Sequence, residues 1–149
     1  MTTGGRLTAD EIEETLKKCR KQIFYIQSLE GMRREIETQM GSVKGTDYSK
    51  PRVSSSDISD LGAKVEAAWE KLQALDERVA EALQAQAELR LNALDLIERC
   101  DTAVQMAVLT DYYILGYSWE AVAARLNYTE IAIYKIRVSA LAAIAGSDK

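Results

Sequence analysis

The chain has 149 residues, 47% apolar and 28% charged, with a formal net charge of −4, a balance that suits one soluble domain or a small domain joined to an extended element. No apolar run reaches the roughly 18 to 20 residues that span a bilayer, and the start of the chain lacks a signal peptide's basic then apolar order, so a cytoplasmic chain with no membrane partner is expected. Without histidine the usual general base and the Ser-His and Cys-His pairs are missing, and Gly4-Gly5, Gly41 and Gly45 lack a phosphate loop's setting, so neither an enzyme nor a bound cofactor is expected.

A single proline, 7% aromatic residues and almost no strand pattern predict an all-α fold. The first element, residues 8–40, is a helix with Ile12, Leu16, Cys19, Ile23, Ile26, Leu29, Met32 and Ile36 on one apolar stripe. Thr8 and Glu11 form a capping-box pattern, and Asp10, Glu11, Glu13 and Glu14 suit the positive end of the helix dipole.

Residues 41–56 hold two glycines, the only proline and a serine run, a composition that predicts a flexible linker. A second helix follows over 57–100, capped by Asp57 or Ser56. Its stripe is Leu61, Val65, Ala68, Leu72, Leu75, Val79, Ala82, Gln86, Leu89, Ala93 and Leu96, with steps of four and three that hold for five heptads. That spacing is a coiled-coil seam. Alanines and Gln86 make the seam thin, so it needs a partner, either the first helix in an antiparallel hairpin or a second copy in a parallel dimer. At about 1.5 Å per residue the second helix alone is roughly 65 Å long, which predicts an elongated molecule. Cys19 and Cys100, one on each helix, read as buried thiols, because neither has a partner at metal-ligand spacing.

The last element, residues 101–145, carries the functional pattern. Asp101 is placed to cap a helix holding Val104, Val108, Leu109 and Tyr112, and Gly116 ends it. From Trp119 onward, apolar side chains at Val122, Leu126, Tyr128, Ile133 and Ile136, with small Ala123 at a close crossing, occupy the inward places of a helix-turn-helix. Asn127 tolerates the left-handed conformation that the turn requires, and Ser118 and Thr129 stand where caps belong. With Ile133, Ile136 and Leu141 inward, Thr129, Glu130, Ile131, Tyr134 and Lys135 would reach base edges in the major groove of double-stranded DNA. Ser118, Tyr128 and Arg137 would bind backbone phosphates, although Tyr128 equally suits a place in a small core. Trp119 reads as a packing residue.

Charge weighs against strong binding by this element alone. Residues 101–149 hold four basic and five acidic side chains, whereas non-specific DNA affinity comes from Lys and Arg on phosphate. Basic residues gather instead at Lys17, Lys18, Arg20 and Lys21 and in the linker at Lys44, Lys50 and Arg52, while residues 57–100 net −5. That acidic helix suits solvent or a basic protein partner.

The segment VLTDYYILGYSWEAVAARLNYTEIAIYKIRVSALAAI resembles region 4 of bacterial sigma factors, and within it Tyr113, Gly116, Ser118, Trp119, Glu120, Val122 and Ala123 are similar to a pattern of the phage-encoded regulators of the ArpU and RinA kind. The resemblance implies a sigma-region-4-like helix-turn-helix and a transcriptional regulator of phage or prophage genes in a bacterial host, activating a late or packaging operon. Its implied partners are promoter DNA and host RNA polymerase. Relatives of this kind place several Arg or Lys where this chain has Glu130, Ile131, Ala132 and Ser139, so a homo-oligomer, a dimer in the first instance, or the polymerase would supply affinity. Two other functions fit the pattern: a protein-binding adaptor that uses the acidic helix, and a small terminase-type subunit for DNA packaging.

Overall fold

The computed structural model describes residues 7–44 and 55–146, with side chains over 7–41 and 61–146. The described residues contain five α-helices: α1 (Ala9–Lys44), α2 (Ser55–Ile97), α3 (Ala103–Leu109), α4 (Trp119–Leu126) and α5 (Glu130–Ala145). A π-helical turn, Thr110–Ile114, continues α3 without a break. The fold is all-α, with no strand among the described residues. No helix is long and apolar enough to cross a membrane, again among those residues.

Helix α1 begins as its sequence dictates. The Thr8 amide donates to Glu11 Oε1 at 3.0 Å and the Glu11 amide donates to Thr8 Oγ1 at 3.1 Å, a reciprocal cap. The helix ends at Lys44, four residues beyond the expected boundary, and α2 begins at Ser55, so Ser56 and Asp57 lie in its first turn. The rest of the expected linker, 45–54, and the Gly4-Gly5 pair lie outside the described residues.

Two compact units form, and both long helices contribute to each. In the unit spanning Tyr25–Leu83, α1 and α2 form an antiparallel hairpin. Ile26 and Leu29 pack against Leu75, Val79 and Ala82, and farther along α1 Arg33 Nε donates to Asp76 Oδ1 at 2.6 Å. Rising numbers on α1 therefore meet falling numbers on α2. Every position of the α2 stripe is buried or half-buried, so the seam is covered by the same chain. Met32 departs from the expected stripe: it is 51% exposed.

The other unit joins the α1 residues up to Phe24 to everything from Gln84 onward. Its main core brings together Ile12, Leu16 and Cys19 of α1, Ala93, Leu96 and Ile97 of α2, Leu109, Tyr113 and Ile114 of α3 and its π turn, and Ala140, Leu141 and Ile144 of α5. A second core of Val108, Val122, Ala123 and Ile133 lies among α3, α4 and α5. Twelve buried side chains against four decide which core dominates, since each fully buried large aliphatic contributes about 1.5–3 kcal/mol. The three short helices are thus anchored on the ends of the two long ones.

Thr102, and not Asp101, caps α3. Its side chain accepts from the Gln105 amide, and the Gln105 side chain accepts from the Thr102 amide in return. Gln105 also accepts from the Asp101 amide and donates to Ser139 Oγ at 3.2 Å. Both the oxygen and the nitrogen of this buried polar side chain thereby find partners. Both cysteines are free thiols, Cys19 buried and Cys100 half-buried. Burial pushes both thiols up, Cys100 to about 11 with help from the Asp101 charge, so both stay protonated and unreactive near neutrality.

Candidate nucleic-acid interface

Helices α4 and α5 are joined as the sequence dictates. Ser118 is extended and its Oγ accepts from the Ala121 amide at 3.2 Å, which starts α4. Asn127 ends α4 in the left-handed region with φ 62° and ψ 45°, a conformation that Asn tolerates and most residues do not. The Tyr128 amide donates back to the Ala123 carbonyl at 3.0 Å, and Thr129 Oγ1 accepts from the Ala132 amide at 3.1 Å to start α5. Val122, Ala123 and Ile133 close the inside of the pair, with Trp119, Leu126 and Ile136 packed around them.

Outside this small core, Glu130, Ile131, Tyr134 and Lys135 are all exposed on the first turns of α5. Thr129 is exposed as well, although its hydroxyl already serves the cap. Beside them Trp119, Glu130, Ile131, Ile133, Tyr134 and Arg137 line a shallow cleft of about 490 Å³. Tyr128, expected among the inward residues, is 42% exposed. It follows the left-handed Asn127, and that turn carries the side chain out of the core.

Two of the cations in this region form ion pairs within the chain, Arg125 while still exposed and Arg137 under partial cover. Arg125 Nε donates to Asp111 Oδ2 at 3.1 Å, and its guanidinium lies 4.7 Å from the Tyr117 ring centre. Arg137, expected on phosphate, instead pairs through Nη1 with Glu13 Oε2 of α1 and is half-buried there. The Tyr113 hydroxyl donates to the same Glu13 oxygen at 3.4 Å. Burial opposes the Arg137 charge, but Tyr113 and Glu13 outweigh it and hold the guanidinium protonated. Burial also pushes the Tyr113 phenol up to about 12, against the lowering effect of Arg137. Lys135 stands outside these pairs.

A column of two guanidinium groups and four rings connects α1 to α5. The Arg20 guanidinium sits 4.9 Å from the Phe24 ring centre and 3.8 Å from that of Tyr112. Tyr112 stacks on Trp119 at 3.6 Å with the planes 6° apart, and Arg137 lies 5.7 Å from Trp119 and 5.1 Å from Tyr134. Arg20 Nη1 also donates to the carbonyls of Tyr112 and Tyr117, at 2.6 and 3.0 Å. The π turn accounts for the first of these: the Leu115 amide reaches back five residues to Thr110 and the Tyr117 amide reaches back to Asp111, leaving the Tyr112 carbonyl at the helix end for a side chain to satisfy, while Tyr117 lies in the loop that follows. Gly116, at φ +82°, then turns the chain toward α4 beneath the Ile23 side chain.

The sequence placed Glu13 among the acids at the start of α1, Arg20 in a basic cluster and Tyr112 among the apolar residues of its helix, and gave Asp111 no part; none of these readings anticipates the contacts above. Arg20 stood among Lys17, Lys18 and Lys21 as part of a basic cluster, yet those three lysines are exposed while Arg20 is half-buried. Its spacing four residues from Leu16 and three from Ile23, next to the apolar stripe, was the available signal. Comparisons with protein-family models, curated proteins and solved structures find no match to this chain.

Proposed function

We propose that the chain is a sequence-specific DNA-binding transcriptional regulator of phage or prophage genes, with α5 entering the major groove as the second helix of a helix-turn-helix. The observation that carries this reading is the division of side chains about the turn. Val122, Ala123 and Ile133 are buried between the helices, while Glu130, Ile131, Tyr134 and Lys135 stand exposed at the start of α5. In a complex Lys135 would donate to guanine, Glu130 would accept from cytosine and Ile131 would meet thymine methyls. Thr129 and Tyr134 complete the base-reading set, and Ser118 and Tyr128 would contact phosphates. Because Arg125 and Arg137 are held in ion pairs, a further copy of the chain or host RNA polymerase supplies the remaining affinity.

Selection from randomised duplexes at low salt, followed by titration of the winning duplex, tests the reading. An enriched sequence is expected, with binding that weakens as salt rises and falls about tenfold in Lys135→Ala. No enrichment, or equal affinity for wild type, Lys135→Ala and Tyr134→Ala, overturns it.

One observation favours a second reading, in which α5 packs on a protein. Ile131, Tyr134 and Val138 are 71%, 59% and 46% exposed and follow an i, i+3, i+7 spacing, the pattern of a helix that lays an apolar face on a partner. Host RNA polymerase is the candidate. Retention of the chain by the polymerase without DNA, lost in Ile131→Asp, supports this reading, and retention unchanged in that variant removes it.

A further inference from the structure

The two sides of the hairpin unit Tyr25–Leu83 are built differently. On one side Glu30, Arg33, Arg34, Glu37, Asp76 and Val79 line the cleft between the helices, a charged surface suited to solvent. On the other, two adjoining cavities of about 450 and 290 Å³ share Ile36, Gln39 and Lys71 and so form one continuous groove. Met32, Ile36, Met40, Val65, Ala68 and Leu75 give that groove an apolar lining. Between Lys64 and Leu75 it runs for about 16 Å along α2, at about 1.5 Å per residue.

The rims of the groove carry opposite charge. Exposed Glu35 stands on the α1 side and exposed Lys71 on the α2 side. Neither is among the ion pairs formed by the described residues. Met32, a member of the apolar stripe, is left half exposed on the same side. Ile36, Val65, Ala68 and Leu75 are seam residues that remain only half-buried along this side, and Met32 beside them is exposed.

We infer that this groove is the interface between two copies of the chain, joined as a four-helix bundle about a twofold axis parallel to the helices. That axis sets each α1 opposite the α2 of the partner subunit, so that Glu35 meets Lys71 of the partner subunit and the reverse pair forms by symmetry. A twofold axis across the helices would set α1 against α1 and bring like rims together. In the chosen arrangement every neighbouring helix is antiparallel, the up-and-down order of ordinary bundles, and the helix dipoles oppose. The hairpin face measures roughly 30 by 20 Å, which on a ridged surface approaches the ~800 Å² per partner of a standard interface. The inference does not depend on what α5 binds.

Sedimentation equilibrium of the full chain across a concentration series tests it. The expected mass is twice 16.6 kDa. Glu35→Lys alone and Lys71→Glu alone each place like charges together twice and are expected to weaken the dimer about tenfold, whereas the double exchange restores it. Met32→Gln removes lining without adding charge and is also expected to weaken association. A chain of 16.6 kDa at every concentration, whether the groove is empty, covered by the chain's own residues or meant for another protein, overturns the inference. So does a dimer whose dissociation constant is unchanged in both single exchanges and in Met32→Gln.

Discussion

Glu13, in the second turn of α1, holds Arg137 in the middle of α5 across 124 residues of sequence. Both side chains are more than three-quarters covered, 23% and 18% exposed. Glu13→Ala leaves a half-buried guanidinium without its carboxylate. The expected loss is about 1–3 kcal/mol, below the ~3–5 kcal/mol for a fully buried pair because water still reaches the site. Urea denaturation of Glu13→Ala, Arg137→Met and the double variant checks it. The double variant should lose less than the sum of the singles, and strict additivity would show that the pair does not couple.

Excised residues 101–149 should not fold. The core among α3, α4 and α5 has four buried residues, whereas Leu109, Tyr113, Ile114, Ala140, Leu141 and Ile144 all rest on α1 and α2 side chains. A fragment exposing that second face lacks the apolar burial a domain of this size needs. Circular dichroism of the fragment should show little helix and no cooperative melt; a sharp thermal transition would contradict the prediction.

Stability should fall at high pH. Tyr113 has a folded value of about 12 against an ordinary 10.0, so its neutral form is favoured in the native state. Its contribution is complete below pH 10 and is lost as pH rises through 12, an amount of order 2–3 kcal/mol. Cys100, at about 11 against 9.0, acts in the same direction and begins the decline near pH 9. Tyr113→Phe should flatten the upper part of the curve measured by denaturation between pH 9 and 12. A stability that rises over that interval would refute the sign.

At Asn127 the backbone is left-handed. Asn127→Gly should be neutral or stabilising by a few tenths of a kcal/mol, and Asn127→Val should cost about 1–2 kcal/mol, since a β-branched side chain clashes at positive φ. Thermal melts of the two variants, which differ only at this exposed turn, provide the comparison.

Local order was legible in the sequence because its causes are local. The Thr8–Glu11 cap, the left-handed Asn127, the caps at Ser118 and Thr129 and the four-three stripe of α2 each depend on residues within one or two turns, and the chain adopts them. The inward residues Val122, Ala123 and Ile133 followed from helical phase in the same way. Tyr128 and Met32 did not: both are exposed, because periodicity marks the face of a helix without fixing how far the packing on that face extends.

What only tertiary structure decided is which charges are available. Composition counts Arg137, Arg125 and Arg20 as free cations, but each is paired with a group far away in sequence or across a turn: Glu13, Asp111 and the carbonyls of Tyr112 and Tyr117. The seam of α2 likewise had two possible partners until α1 was found against it. Periodicity fixes the face a helix must bury, since side-chain direction repeats with the backbone. It carries no information about which distant face arrives to cover it, or which carboxylate comes with that face.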